Sequence, residues 1–324
     1  MMQGNLHIRA YEPGDEERIN DAFCEVFATH RSLAEWRWKF AERPEGRWII
    51  VAVDAGGNVV GHYAAVPART KVDGLTVVAG QIVDVLTRPS VRIGLAAART
   101  YLQTVNAFFD TMTGPDKLSF LYGFPSEAAL RLGVAKLGYD AMPPQEVPVL
   151  RRDLGRRSRY FTGHRLLRGF NAEKIDTLWL RSAVRYRVAI LRDAEFYKWR
   201  YTTRPDVEYL YLCAVRRGEP RAAAVVRWQS PVLHVVDLVW DGSDEGAIAE
   251  LDRGIVAMAR GVSAERVEMW LSGDPEASSV LVHLGWSRVG VPNLIVVARS
   301  FDPRVDVAAF PGIHYLTMGD SDLF

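Results

Sequence analysis

Apolar residues along this chain fall into short strand-like blocks separated by stretches of helical spacing. Leu6 to Ala10 reads as a strand, and 16–28 places Ile19, Ala22, Phe23, Val26 and Phe27 on one helical face. Ser32 stands where an N-cap belongs, ahead of a short helix that carries Trp36 and Trp38 and ends before Pro44. The turn residues Asp54-Ala55-Gly56-Gly57-Asn58 separate two apolar blocks, 48–53 and 59–66, and predict a hairpin. Further strands are expected at 75–86 and 118–122, helices at 94–108 and 127–136, and a last strand from Tyr139 onward.

The pattern then returns. Trp38-Lys39-Phe40-Ala41-Glu42-Arg43-Pro44 is echoed by Trp199-Arg200-Tyr201-Thr202-Thr203-Arg204-Pro205, 161 positions on. Ile82-Val83-Asp84-Val85-Leu86 matches Val235-Val236-Asp237-Leu238-Val239 at an offset of 153, and Leu137-Gly138-Tyr139 matches Leu284-Gly285-Trp286. Segments in one order imply two copies of one module. We place them at 1–150 and 185–324, with Arg185 to Leu191 as the first strand of the second. A basic linker, 151–184, joins them and carries Arg151, Arg152, Arg156, Arg157 and Arg159.

Composition narrows the class without naming a function. The chain has 324 residues, 40 Lys plus Arg against 39 Asp plus Glu, and 48% hydrophobic residues, as in an ordinary globular protein. The balanced charge argues against a protein built chiefly to bind polyanions. No apolar run reaches the ~18 residues of a membrane helix, and the first residues lack the pattern of a signal peptide, so a cytoplasmic location is expected. Cys24 and Cys213 lie in separate apolar stretches, and the seven histidines show no metal-ligand spacing, so no metal site is expected.

The strand Gln81-Ile82-Val83-Asp84-Val85-Leu86-Thr87, the following Arg92-Ile93-Gly94-Leu95-Ala96, and the later Gly123-Phe124-Pro125-Ser126-Glu127-Ala128 carry a resemblance. In this order they resemble the GNAT acyltransferase superfamily, and the whole chain resembles a tandem GNAT protein, an arrangement shared with Fem-type aminoacyl transferases. The resemblance implies an α/β fold of two tandem domains, each a mostly antiparallel sheet flanked by helices. It also implies acetyl-CoA or another acyl-CoA as donor. By resemblance, strand amides of Val85, Leu86 and Thr87 would meet pantetheine and the thioester, Arg92, Ile93, Gly94, Leu95 and Ala96 would cradle the pyrophosphate, and Ser126 would line the same site. A helix N-terminus suits that cradle, because its free N–H groups and dipole favour phosphate.

The chain also departs from the family pattern. Arg92 to Gly94 is one residue short of the usual turn, and the second copy has Asp241, Asp244 and Glu245 where phosphates would sit. One donor site, in the first copy, is therefore expected. The tyrosine that the family carries on the helix after the fifth strand is replaced by Gly133 or Leu132.

Acyl transfer to an amine needs a proton acceptor and a proton donor. Asp84 interrupts an apolar strand, so it reads either as a base or as a structural carboxylate paired with Arg43, as Asp237 would pair with Arg204. His62 alternates with apolar strand neighbours and reads as a packed core residue or as a base. Tyr122 is the nearest replacement for the missing tyrosine. The leading expectation is an acyl-CoA-dependent N-acyltransferase acting on a small amine, such as an amino sugar or amino acid. The alternatives are a Fem-like transferase that uses aminoacyl-tRNA through the basic linker, and a non-catalytic binding protein.

Overall fold

The computed structural model describes residues 6–91, 95–139, 145–155, 162–291 and 294–324. It divides into two compact units, Met1–Arg69 with Val77–Gly123 and Ala298–Val307, and Thr70–Thr76 with Phe124–Val297 and Ala308–Phe324. Up to Gly123 the chain forms β1 (His7–Ala10), α1 (Glu16–Phe27), α2 (Leu33–Phe40), β2 (Trp48–Val53), β3 (Val59–Val72), β4 (Leu75–Thr87), α3 (Leu95–Met112) and β5 (Leu118–Gly123). Helix α2 begins where the sequence placed it, with the Ser32 hydroxyl accepting from the Glu35 amide at 3.0 Å.

In the first unit the strands run β1-β2-β3-β4-β5, antiparallel from β1 to β3, with β4 and β5 parallel. Alternation along β3 gives its two faces different tasks. Tyr63 packs its ring 5.0 Å from Phe108 of α3, whereas His62 lies 6.1 Å from Phe40 of α2. Trp36, fully buried between Tyr11 and Phe40, is core.

The chain continues as α4 (Glu127–Leu137), β6 (Gln145–Glu146), β7 (Val149–Asp153), β8 (Arg165–Arg168), α5 (Ala172–Ser182), β9 (Val188–Ile190) and α6 (Ala194–Tyr197). Then follow β10 (Leu210–Arg216), β11 (Glu219–Gln229), β12 (Val232–Trp240), α7 (Glu245–Gly261), β13 (Arg266–Trp270), α8 (Pro275–His283), β14 (Trp286–Val289), β15 (Ile295–Ser300) and β16 (His314–Tyr315). The sheet of the second unit has the order β14-β7-β13-β12-β11-β10-β8, again with one parallel pair, β12 and β13. Strands β8, β10, β11, β12 and β13 thus repeat β1 to β5 in order and direction.

Three expectations are corrected. The stretch 151–184 is not a bare linker: it holds the end of β7, all of β8 and helix α5. The counterpart of β1 is β8 rather than 185–191, where only Val188–Ile190 forms a short strand, paired in parallel with β16. Finally, Tyr139 itself is a turn residue, and 140–144 lie outside the described residues. Its ring lies on Gly133 of α4, where a Cβ would overlap it, and the strands described after it are β6 and then β7, the latter inside the sheet of the second unit. Ala298–Ser300, at the end of the second copy, belongs in turn to the first unit, where Phe301 donates to the Ser119 carbonyl at 2.8 Å.

Candidate active site

The open edge of β4 is the central feature of the first unit. Its ladder to β5 runs from Val78↔Leu118 to Gln81↔Tyr122. Among the described residues, Ile82 to Thr87 then have no ladder partner on that side, although β4 continues to Thr87. Val85, Leu86 and Thr87, the expected thioester-binding amides, lie in this stretch. Tyr122 sits in β5 at the last pair before the strands part, 3% exposed. Of the expected phosphate cradle, Arg92, Ile93 and Gly94 lie outside the described residues, and Leu95 and Ala96 open α3. Ser126 caps α4, its hydroxyl accepting from the Ala129 amide at 3.4 Å, and belongs to the second unit.

Behind the open edge, a charged cluster is buried. Arg31 bonds Asp84 Oδ2, and Lys39 Nζ donates to Asp84 Oδ1 at 2.8 Å. The Arg31 guanidinium also stacks 3.7 Å above the Phe23 ring. All three charged side chains are at most 9% exposed. Burial alone would push the Asp84 carboxyl up, but Lys39 and Arg31 outweigh it and hold the group well below the usual carboxylate range.

His62 Nδ1 lies 2.7 Å from the Asp84 carbonyl oxygen. A carbonyl only accepts, so Nδ1 carries the proton. Burial pulls the ring's pKa down to about 4, and Nε2, also buried, has no hydrogen-bond partner among the described residues.

The structure thus joins Asp84 to His62, but the cations on Asp84 are not those expected. Arg43 bonds the Pro67 carbonyl and pairs with Glu45, and Arg204 bonds the Tyr209 hydroxyl and the Phe324 carbonyl. Arg31 and Lys39 were missed, although a signal existed. At the 161 offset they match Arg192 and Arg200, which are also buried in the second unit.

The second unit shows the same strand edge filled. Pairing of β12 with β13 ends at Val235↔Met269. Beyond it, the Tyr315 hydroxyl donates to the Leu238 carbonyl, and Thr317 Oγ1 donates to Asp237 at 3.1 Å. A Cβ on Gly319 would stand 3.2 Å from the Val236 carbonyl. Arg192 holds this segment through Asp320, and Arg200 through the Gly319 and Ser321 carbonyls at 3.1 and 2.7 Å. The N-terminus of α7 is capped by its own Asp244, which accepts from Gly246 at 2.9 Å. Asp241 and Asp244 pair with Arg221 and Arg216, so closure comes from a filled edge and a capped helix, not from unpaired negative charge.

Comparison with known proteins agrees with this geometry. Residues 7–135 match the family model of the acetyltransferase (GNAT) domain, so the chain carries a GNAT domain in its N-terminal part. No curated protein sequence matches. Among solved structures, a probable N-acyltransferase from Enterococcus faecalis is 13% identical with a TM-score of 0.67, over 92% of this chain and 73% of that one. A GCN5-related N-acetyltransferase from Anabaena variabilis is 13% identical with a TM-score of 0.68, over the same shares. Saccharomyces cerevisiae N-myristoyltransferase with bound myristoyl-CoA is 10% identical with a TM-score of 0.56, over 98% of this chain and 87% of that one. At these identities the structures establish a shared fold. Residues 7–135 therefore match a GNAT domain, and the chain shares its fold with N-acyltransferases of that class.

Proposed function

We propose that this protein transfers an acyl group from an acyl-CoA, with acetyl-CoA the first donor to test, to the amine of a small molecule such as an amino sugar or amino acid. The observation that carries this reading is the edge of β4 from Ile82 to Thr87, which has no ladder partner on the β5 side among the described residues, within the stretch that matches the GNAT domain. Free main-chain amides on such an edge can take the pantetheine arm and the thioester carbonyl as an added strand would be taken. That the matching edge of β12 is filled by the chain itself supports a single donor site. The myristoyl-CoA bound to the yeast enzyme supports a coenzyme A thioester as donor on this fold.

In the reaction the amine nitrogen attacks the thioester carbonyl carbon, the C–N bond forms and the C–S bond breaks. The proton lost by nitrogen ends on the departing sulfur, giving an amide and free coenzyme A. Negative charge on the carbonyl oxygen in the tetrahedral intermediate is stabilised by a fixed strand amide, the usual source of a large rate gain. Tyr122, at the point where β4 and β5 part, is the hydroxyl we assign to deliver the proton to sulfur.

The aminoacyl-tRNA alternative loses support. Arg151 pairs with Glu268 at 2.8 Å and Arg152 is buried against Asp252 at 3.2 Å, while Arg156, Arg157 and Arg159 lie outside the described residues. The test is titration calorimetry with acetyl-CoA and longer acyl-CoAs, followed by thiol release with a panel of amines. Saturable binding and amine-dependent release, slowed in Tyr122→Phe, are expected. No heat with any acyl-CoA would overturn the reading.

A further inference from the structure

Asp84 adopts a conformation foreign to strands. Its φ is +50°, in the left-handed region that a residue with a Cβ occupies only when its surroundings hold it there. Every acceptor it has is engaged: Oδ2 by Arg31, Oδ1 by Lys39, and the carbonyl by His62 at 2.7 Å. The carbonyl contact has a geometric consequence. The Asp84 C=O and the Val85 N–H belong to one planar trans peptide and point in opposite directions. Fixing that oxygen on His62, a β3 residue, turns the Val85 N–H away from His62. On the other neighbour of β4, the ladder with β5 has already ended at Gln81.

We propose that His62, Arg31 and Lys39 form a clamp on Asp84 that aims the Val85 N–H at the acyl carbonyl of the donor. His62 is then a positioning residue and not the base. This rests on the donor reading above and assigns its amide to one residue.

The second repeat supplies an internal control. Ala52 and Cys213 correspond at the 161 offset; Ala52 pairs with Gly61 and Cys213 with Ala223, so Ala224 stands where His62 does. Asp237 keeps buried polar partners in Tyr201 and Thr317, yet it is not left-handed. Histidine and left-handed aspartate occur together in the repeat whose strand edge is open, and both are absent where that edge is filled. A catalytic base needs its free ring nitrogen open to the substrate, and here the ring is 1% exposed with Nε2 buried. A clamp requires the bond to the Asp84 carbonyl, with the ring neutral and its proton on Nδ1.

The test compares His62→Leu, which removes the donor, with His62→Asn, whose side-chain N–H can replace Nδ1–H, and His62→Gln, whose amide is carried one bond further out. With acetyl-CoA and an accepted amine, His62→Leu should lower kcat about a hundredfold, the scale of a lost oxyanion donor, with KM for acetyl-CoA within about twofold. His62→Asn should recover most of kcat, and His62→Gln little. If His62→Leu does not fold, the Asn and Gln pair carries the comparison.

Equal kcat in those two variants, or a folded His62→Leu with wild-type kcat, overturns the clamp. Should the wild-type protein bind no acyl-CoA, the donor reading fails separately. The aim of the amide is then read without substrate, from the Val85 amide NMR signal. That signal should move in His62→Leu and return in His62→Asn, and an unmoved signal overturns the clamp.

Discussion

Replacing Asp84 by Asn separates its charge from its shape. Asn tolerates a left-handed φ about as well as Asp, so the backbone cost of the site is unchanged. What changes is the charge. Arg31 and Lys39, with side chains 2% and 9% exposed, lose the carboxylate that compensates both. Removing one partner of a buried ion pair costs about 3–5 kcal/mol, because the remaining charge stays desolvated. Against a typical total stability of about 5–15 kcal/mol, that loss is readily measured. The assay is urea denaturation at pH 7, followed by tryptophan fluorescence. Arg31→Met made on top of Asp84→Asn should cost less than the sum of the two single changes, because it removes one of the stranded charges. If Asp84→Asn instead costs under about 1 kcal/mol while abolishing acyl transfer, Asp84 is a base and the structural account is wrong.

Two further outcomes are expected. The neutral form of His62 is favoured by folding, since its folded pKa of about 4 lies below the ordinary value of about 6.5. The associated stability is full above pH 6.5 and is lost as pH falls from there to about 4, by about 3 kcal/mol in total; His62→Asn should flatten that part of the stability profile, and identical profiles would contradict it. Gly133→Ala gains about 1 kcal/mol of helix propensity but drives a Cβ into the Tyr139 ring, a clash worth about 1–3 kcal/mol. Melting should therefore show a net loss that Tyr139→Ser relieves, whereas a rise in melting temperature for the single variant would refute the packing.

The parts of this architecture legible in the sequence were those fixed by local chemistry or by repetition. Ser32 caps a short helix where expected, and Asp54 to Asn58 forms the expected turn. Pairings over long separations were not legible. An apolar run such as Val147 to Leu150 announces a strand without saying which sheet receives it, so the pairing of β7 with β13 came only from coordinates. Likewise, Asp84 meets cations 53 and 45 residues away, and proximity along the repeated motif pointed to Arg43 instead. Nor does any residue pattern announce a left-handed aspartate within a strand. The repeat held more than its apolar matches, since Arg31 with Arg192 and Asp84 with Asp237 recur together as buried partners.

Among the described residues the edge of β4 is open and the matching edge of β12 is filled. Amide hydrogen exchange, followed by mass spectrometry with and without acetyl-CoA, reads both edges at once. Peptides covering Ile82 to Thr87 should become protected when the donor is added, and those covering Val236 to Trp240 should not change. Protection at Val236 to Trp240, or none at Ile82 to Thr87 under saturating donor, would contradict a single donor site on β4.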